Sequence, residues 1–353
     1  MQSRTEIIAL LRTQNPKLSE PTILRWANIL SQLKGCHIHS TIAQADDEAG
    51  WLKARTKGIG GSEIAAIRGR SSWSSPRDVY IRKVPQFGSE PESFQSEAAH
   101  WGHLLEPVVF NEWCTRTGRR GIQIPVSLQS DDNPILIANV DGFELDEDDN
   151  VLGLIEIKTT SLHNLGHWSE GEVPEYYVEQ IQWYMGITGL TTTAIACCVG
   201  GQKLFYYDLP FVAPVFKAQT EEATAFWNDY VIPQIAPPAT DIDAERIAKL
   251  RGEEEVTQPV VTEDEETINL LEEYVDIGQQ ISILEKRKKT LYAQALEKLG
   301  SASEMLAGDR LMKTSTTYRR VCDYDTLQNK YPSVYDEVIS KSPSVRLYIS
   351  EVV

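Results

Sequence analysis

Asp141-Gly142 and Glu156-Ile157-Lys158 are the residues of this sequence whose types and spacing suit a chemical task. The two acids stand 15 residues apart, each in a run with the composition of a strand. Cleaving a phosphodiester needs a water in line with phosphorus and positive charge beside the oxygens that gain negative charge. Mg²⁺ supplies that charge, and it is usually held by one or two carboxylates completed by water and phosphate oxygens. Asp141 and Glu156 offer the carboxylates, and the Ile157 carbonyl can add a backbone ligand. Lys158 offers a point charge for the attacking water or the developing anion. Taken alone, the same residues also fit a turn pair followed by a solvated cross-strand ion pair, which is the commoner occurrence. The decision therefore rests on the surrounding chain.

The elements that must position these groups are short. Residues 135–143 read as a strand ending in an acid and a turn glycine, and residues 151–158 as a second, mostly apolar strand. Asp146-Glu147-Asp148-Asp149-Asn150 is a polar turn between them, so the whole reads as a hairpin. Residues i and i+2 of a strand share a face, so Glu156 and Lys158 point one way and Ile155 and Ile157 the other.

Upstream, residues 5–13, 20–33 and 46–56 read as helices, and Gly58-Ile59-Gly60-Gly61 as a turn opening a helix capped by Ser62. Residues 98–116 form a helix carrying Glu106. Helices at 174–186 and 215–232 flank a strand pair at 191–199 and 203–209. That order predicts an α/β core with a mixed sheet. Residues 235–266 are rich in proline and acid and read as a linker. Residues 267–299 make a long amphipathic helix with apolar Ile268, Leu271, Val275, Ile281, Leu284, Leu291, Ala295 and Leu299, read as a coiled-coil-like arm. Residues 300–353 read as a small β-containing unit.

Composition narrows the function classes. Of 353 residues, 41% are hydrophobic and 24% charged, which suits a globular protein. No apolar run approaches the ~20 residues of a membrane span, and the first residues lack a basic stretch followed by an apolar core, so a cytoplasmic protein is expected. The cysteines are Cys36, Cys114, Cys197, Cys198 and Cys322, an odd set with no Cys-x-x-Cys, which reads as reduced thiols. His100, His103, His163 and His167 invite a zinc reading but lack a His-Glu-x-x-His pattern, so Mg²⁺ ranks first. A net charge of −17 is unusual for a DNA-binding chain, yet residues 237–275 hold 12 Asp/Glu against 3 Lys/Arg, a net of −9. Lys53, Arg55, Lys57, Arg68, Arg70, Arg77 and Arg82 form a local basic run that could meet a polyanion. Trp73, Trp101 and Trp183 read as core, although an exposed one could stack on a frayed base. The Gly58–Ser62 turn has no Gly-Lys-Ser/Thr, which argues against a P-loop.

In order along the chain come Arg55-x-x-Gly58-Ile59-Gly60-Gly61-Ser62-Glu63 with Trp73-x-x-Pro76, then Trp101-Gly102-x-x-Leu105-Glu106-Pro107, Asn139-Val140-Asp141-Gly142, Glu156-Ile157-Lys158-Thr159, and Tyr176-Tyr177-x-x-Gln180-Ile181-Gln182-x-Tyr184. This series resembles the YqaJ-type viral recombinases, the phage alkaline exonucleases that include lambda exonuclease, within the PD-(D/E)xK nuclease superfamily. The resemblance spans residues 51–232 and divides the chain into a helical segment at 1–50, a nuclease domain at 51–235, an acidic linker at 236–266 and the arm and β-containing unit at 267–353.

It implies a restriction-endonuclease-like core with a mixed central sheet flanked by helices. It casts Asp141 and Glu156 as metal ligands, with the Ile157 carbonyl and Glu106 in support, Lys158 as the catalytic lysine, and Gln180 near the phosphate and attacking water. Arg55 and Ser62, seven residues apart, match the pair that anchors a 5′-phosphate. Val140 replaces the usual proline before the motif aspartate, a position that does not ligate metal.

The activity implied is a Mg²⁺-dependent (or Mn²⁺-dependent) 5′-to-3′ exonuclease on linear double-stranded DNA. It would leave 3′ single strands for an annealing protein in phage-type recombination in the bacterial cytoplasm, and it would work as a trimeric ring. The arm would serve assembly or the annealing partner. The other readings are an endonuclease of the same fold and a catalytically silent module that binds DNA ends.

Overall fold

Among the described residues, apolar alternation and turn residues place nine strands in the first part of the chain, in two sheets. The computed structural model describes residues 2–41, 56–84, 97–169, 171–253, 261–318 and 322–339. The chain divides into two compact units, Met1–Ala244 and Glu245–Val353.

In the first unit, α1 (Arg4–Gln14) and α2 (Glu20–Leu30) are capped by Ser3 and Ser19, whose hydroxyls accept N–H bonds from the first turn. Both bury their apolar stripes. A strand not foreseen from the sequence, β1 (Cys36–Thr41), follows. Its Cys-His-Ile-His-Ser-Thr run carries only one large aliphatic residue, and pairing supplies what the alternation lacks. It lies antiparallel to β4 (Val126–Ser130), which pairs with β5 (Leu136–Asn139), which in turn takes the two-residue β2 (Ile59–Gly60) in parallel on its far side. The strand order of this sheet is β1-β4-β5-β2.

The second sheet has the order β3-β6-β7-β8-β9, from β3 (Arg120–Ile122), β6 (Gly142–Leu145), β7 (Val151–Thr160), β8 (Thr192–Val199) and β9 (Lys203–Pro210). Its central β7–β8 pair is parallel and the other pairs are antiparallel, so the expected mixed sheet is present. Its long strand presents two faces. Ile155 and Ile157 pack with Val109, Phe110 and Trp113 of the helix α5 (Glu97–Thr117). Leu154 faces the larger core together with Ile195, Cys197, Ile181 and Tyr184. Helices on both faces of a mixed sheet give the α/β class expected.

Between these elements lie α3 (Gly61–Ile67) and α4 (Pro76–Lys83), and after β7 come α6 (Leu165–Ser169), α7 (Glu175–Thr188) and α8 (Ala213–Phe226), the last running into a π turn at Trp227–Val231. Helix α3 starts two residues earlier than a cap at Ser62 would set it. Gly60 is the N-cap, and its N–H donates to Glu63 Oε2 at 2.9 Å, so Ser62 sits within the first turn rather than at the cap. Gly61 allows α3 to lie on α7, because a Cβ there would come within 2.4 Å of the Tyr184 ring.

Residues 235–266 are not a plain linker. They hold a 3₁₀ turn at Asp241–Asp243 and the helix α9 (Ala244–Glu253), and Asp243 is buried, accepting a 2.7 Å bond from the Ser75 hydroxyl. In the second unit, α10 (Glu265–Leu299) matches the expected long helix. A hairpin of β10 (Glu304–Ala307) and β11 (Arg310–Lys313) follows, then α11 (Tyr324–Lys330) and α12 (Pro332–Val338), two helices the sequence reading omitted. The helix expected at 46–56 lies outside the described residues, Thr56 apart. No helix among the described residues is long and apolar enough to cross a membrane.

Candidate active site

The acidic motif forms where the two sheets part. Residues 135–143 are not one strand. The chain leaves β5 at Asn139, passes through buried Val140 and half-buried Asp141, and enters β6 of the other sheet at Gly142. The predicted hairpin is therefore β6–β7 alone, with Gly142 opposite Ile155. Asp141 is left free of either ladder, and its side chain turns back over β7. There Oδ2 accepts the Ile157 N–H at 2.8 Å.

Glu156 is 1% exposed, on the face of β7 that looks toward α7. Its Oε1 accepts from Lys158 Nζ at 2.5 Å and from Gln180 Nε2 at 2.7 Å. Gln180 also donates to the Tyr184 hydroxyl at 3.1 Å, one helical turn further along α7. Lys158 Nζ lies 5.2 Å from the centre of the Tyr177 ring, a cation–π contact that fixes the amine from the other side. Glu106 comes from α5 just before Pro107, and its Oε1 accepts from Gln123 Nε2 at 2.9 Å.

Five of the sequence-predicted site side chains are thus placed together: Glu106, Asp141, Glu156, Lys158 and Gln180. The Ile157 amide takes part through its N–H to Asp141. Ser62 is exposed on α3, and Arg55 lies outside the described residues. Gln123, Tyr177 and Tyr184 also touch the cluster, although no role was expected of them. Gln123 stands in no motif, whereas both tyrosines lie one turn from Gln180 on α7 and follow from helical spacing once Gln180 is placed.

The electrostatics show what the cluster lacks. Burial, and then the charge of Asp141, raise the Glu106 carboxyl to about 7 and that of Glu156 to about 8. Burial also raises Asp141, opposed by Lys158 and the Ile157 N–H. Burial would pull the Lys158 amine down, but the charges of Glu156 and Asp141 outweigh it and hold the ammonium above its usual range. Acids gathered in low dielectric around a lysine are short of positive charge.

A divalent cation would supply that charge, and the donor set fits one. Among the described residues each of the three acids is held through one oxygen, and its second oxygen takes no hydrogen bond. No three His, Cys, Asp or Glu side chains among the described residues already close around an ion. An ion held by one or two carboxylates, waters and substrate oxygens needs no such cage. His100, His103, His163 and His167 are all exposed.

Two expectations about DNA contact change. Arg68 and Arg70 of the basic run, and the adjacent Lys83, are engaged in ion pairs within the fold. Arg68 pairs with Glu179 at 2.7 Å and with Glu222, Arg70 with Glu179 at 2.6 Å, and Lys83 with Glu63 at 2.6 Å. The Arg68–Glu179 and Lys83–Glu63 pairs are buried, whereas Arg70 and Glu222 stay partly exposed, and together these pairs tie α3, α4, α7 and α8. Trp183 is core, donating its indole N–H to Ile137 O at 2.9 Å, but Trp73 and Trp101 are 59% and 52% exposed. Trp73 packs edge-on against Tyr176 with ring centres 4.2 Å apart, and Tyr176 packs likewise on Tyr177. An aromatic series thus runs from solvent to the site lysine.

Comparison with known proteins adds four findings. Residues 50–191 match the model of the YqaJ-like viral recombinase domain. The chain is 30% identical over 310 residues to the uncharacterized protein YqaJ of Bacillus subtilis (strain 168), covering 86% of this chain and 94% of that one. Among solved structures it is similar to an alkaline exonuclease from Laribacter hongkongensis, with 17% identity, 57% of this chain and 99% of that chain covered, and a TM-score of 0.43. It is also similar to a phage-related exonuclease from Haemophilus somnus 129PT, with 12% identity, 50% and 94% covered, and a TM-score of 0.39.

Proposed function

This chain belongs to the YqaJ-like viral recombinase family, and from that premise we propose that it is a metal-dependent exonuclease acting on linear double-stranded DNA. It removes nucleotides from the 5′ end and leaves a 3′ single strand for an annealing protein. The observation that carries the reading is the placement of Asp141, Glu156, Lys158 and Gln180 at the junction of two sheets, with Glu106 brought to them from α5. Bound Mg²⁺, or Mn²⁺ in its place, would supply Lewis-acid charge to the scissile phosphate. Asp141 and Glu156 would hold it, with Glu106 in support and the Ile157 carbonyl as a backbone ligand. Lys158 orients the attacking water and meets the charge that develops on the phosphoryl oxygens. Gln180 fixes the Glu156 carboxylate in register with that lysine. Ser62, with Arg55, receives the 5′-phosphate. Enclosure of the duplex by a ring of subunits would let an acidic chain remain on DNA without strong phosphate contacts.

The raised carboxyls give this reading a pH signature. A carboxyl whose folded value lies above its unfolded one stabilises the fold in its protonated form. For Glu106 and Glu156 that contribution is complete below about 4.5 and is lost as pH rises through about 7 and 8. The metal-free protein is therefore expected to lose melting temperature from these groups between pH 5 and 8. Mg²⁺ must displace their protons, so it is expected to raise Tm more at pH 8.5 than at pH 6. Scanning calorimetry at the two pH values decides this, and an equal Mg²⁺ shift at both would remove the carboxylates from the binding site.

The function itself is tested with a linear duplex labelled at each 5′ end and internally, beside a closed circle, in Mg²⁺ and in EDTA. The expected result is mononucleotide release from 5′ ends, intact circles and no reaction in EDTA. Cleaved circles would make the protein an endonuclease of the same fold. No cleavage with any divalent ion would make it an end-binding module.

A further inference from the structure

The helix α10 has 35 residues, of which all but Leu271, Val275, Ala295 and Leu299 are exposed. A helix this long with so few of its side chains packed has little tertiary support of its own. One stripe on it repeats with a spacing of seven. Leu270, Ile277, Leu284 and Leu291 recur every seventh residue and are 61%, 47%, 66% and 48% exposed. Tyr274, Ile281, Lys288 and Ala295 recur in the alternate positions, so the stripe steps by four and three along the whole helix. This is the a/d seam of a coiled coil, broken once by a lysine whose stem can lie along the seam while its ammonium reaches water.

Charge selects the occupant. Residues 265–281 carry Glu265, Glu266, Glu272, Glu273 and Asp276 with no Lys or Arg, a net of −5. Residues 283–299 carry five Lys or Arg against two Glu, a net of +3. Two copies laid parallel would set acid on acid and base on base. Two copies laid antiparallel set each acidic half against a basic half. The register that uses the whole stripe places Tyr274 beside Leu291 and Ile281 beside Leu284 of the other copy.

We propose that α10 is a self-association element that pairs antiparallel with the same helix of a second copy of this chain. The proposal is independent of the nuclease reading and stands or falls on the arm alone.

The test uses full-length protein in a Cys322→Ser background with a short thiol cross-linker. The double variant Tyr274→Cys/Leu291→Cys is expected to give covalent dimers, and either single variant is expected to give none, because each cysteine then faces a leucine or a tyrosine. Adding Ile277→Asp and Leu284→Asp to the double variant is expected to abolish the cross-link and lower the mass read by light scattering, with the circular dichroism of the folded chain retained. Cross-linking of the single variants would mean a parallel pair and overturn the proposal. It is also overturned by a mass unchanged by the aspartates, or by no cross-link in the double variant, as when another protein or this chain's own C-terminal residues cover the stripe.

Discussion

Lys158→Ala is expected to slow Mg²⁺-dependent cleavage of linear duplex DNA by about 10²–10³-fold or more while leaving metal binding intact, a loss typical of removing one preorganised group that meets transition-state charge. Lys158 Nζ is bonded to Glu156 Oε1 at 2.5 Å and packed against the Tyr177 ring, so it is held in place before any substrate arrives. Truncation removes the donor without touching a strand bond, since β7 pairs with β8 through its backbone. It also removes a positive charge that a metal ion would otherwise have to approach. The half-saturating Mg²⁺ concentration should therefore stay the same or fall while the maximal single-turnover rate collapses. Lys158→Arg is expected to fail as well, because a planar guanidinium does not replace a compact ammonium wedged between a carboxylate and a ring. The measurement is a Mg²⁺ titration of single-turnover cleavage for wild type and both variants. A variant with full maximal rate and only a shifted metal dependence would make Lys158 a counter-ion and not a catalytic group.

The grouping of these side chains was legible where it lies in local sequence. Glu156 and Lys158 are two apart on one strand, and strand geometry alone puts them on one face. Gln180 is legible by resemblance, and its bond to Glu156 spans 24 residues that fold back as one crossover from β7 through α7. What could not be read is what depends on partners distant in the chain. The run 135–143 looks like one strand by composition, and only the pairing of β5 with β4 and of β6 with β7 breaks it at Asp141. Arg68 and Arg70 look like free surface cations until Glu179, more than 100 residues later, pairs with both and Arg68 is buried against it. Ser62 looks like a cap by residue type, but Glu63 reaches the Gly60 N–H and starts the helix earlier. Residues 241–243 look like linker because their anchor, the Ser75–Asp243 bond, joins positions 168 residues apart.

Asp141→Asn is expected to abolish cleavage and at the same time to stabilise the metal-free protein at pH 8. The substitution keeps shape and keeps an oxygen that can accept the Ile157 N–H now bonded to Oδ2 at 2.8 Å. Asp141→Ala would instead leave that partly buried N–H unpaired, at a cost of about 1–3 kcal/mol, and so would confuse function with folding. What the asparagine removes is charge. Asp141 is the carboxylate that, after burial, pushes Glu156 to about 8 and Glu106 to about 7. Without it both acids ionise more readily, and the penalty for holding them together in the folded state shrinks. The melting temperature of the metal-free variant should therefore exceed that of wild type at pH 8 and approach it at pH 5, where the acids are largely protonated. Added Mg²⁺ should no longer raise it, because a central ligand is gone, and cleavage should fall by about 10³-fold or more, at least the loss that follows removal of a single charge-stabilising group. Calorimetry with and without Mg²⁺, run beside the cleavage assay on the same preparation, reads all three effects. A variant that melts lower than wild type at pH 8 would mean that Asp141 serves the fold. A variant that melts higher and cuts nothing would mean that the fold tolerates this acid only because the reaction requires it.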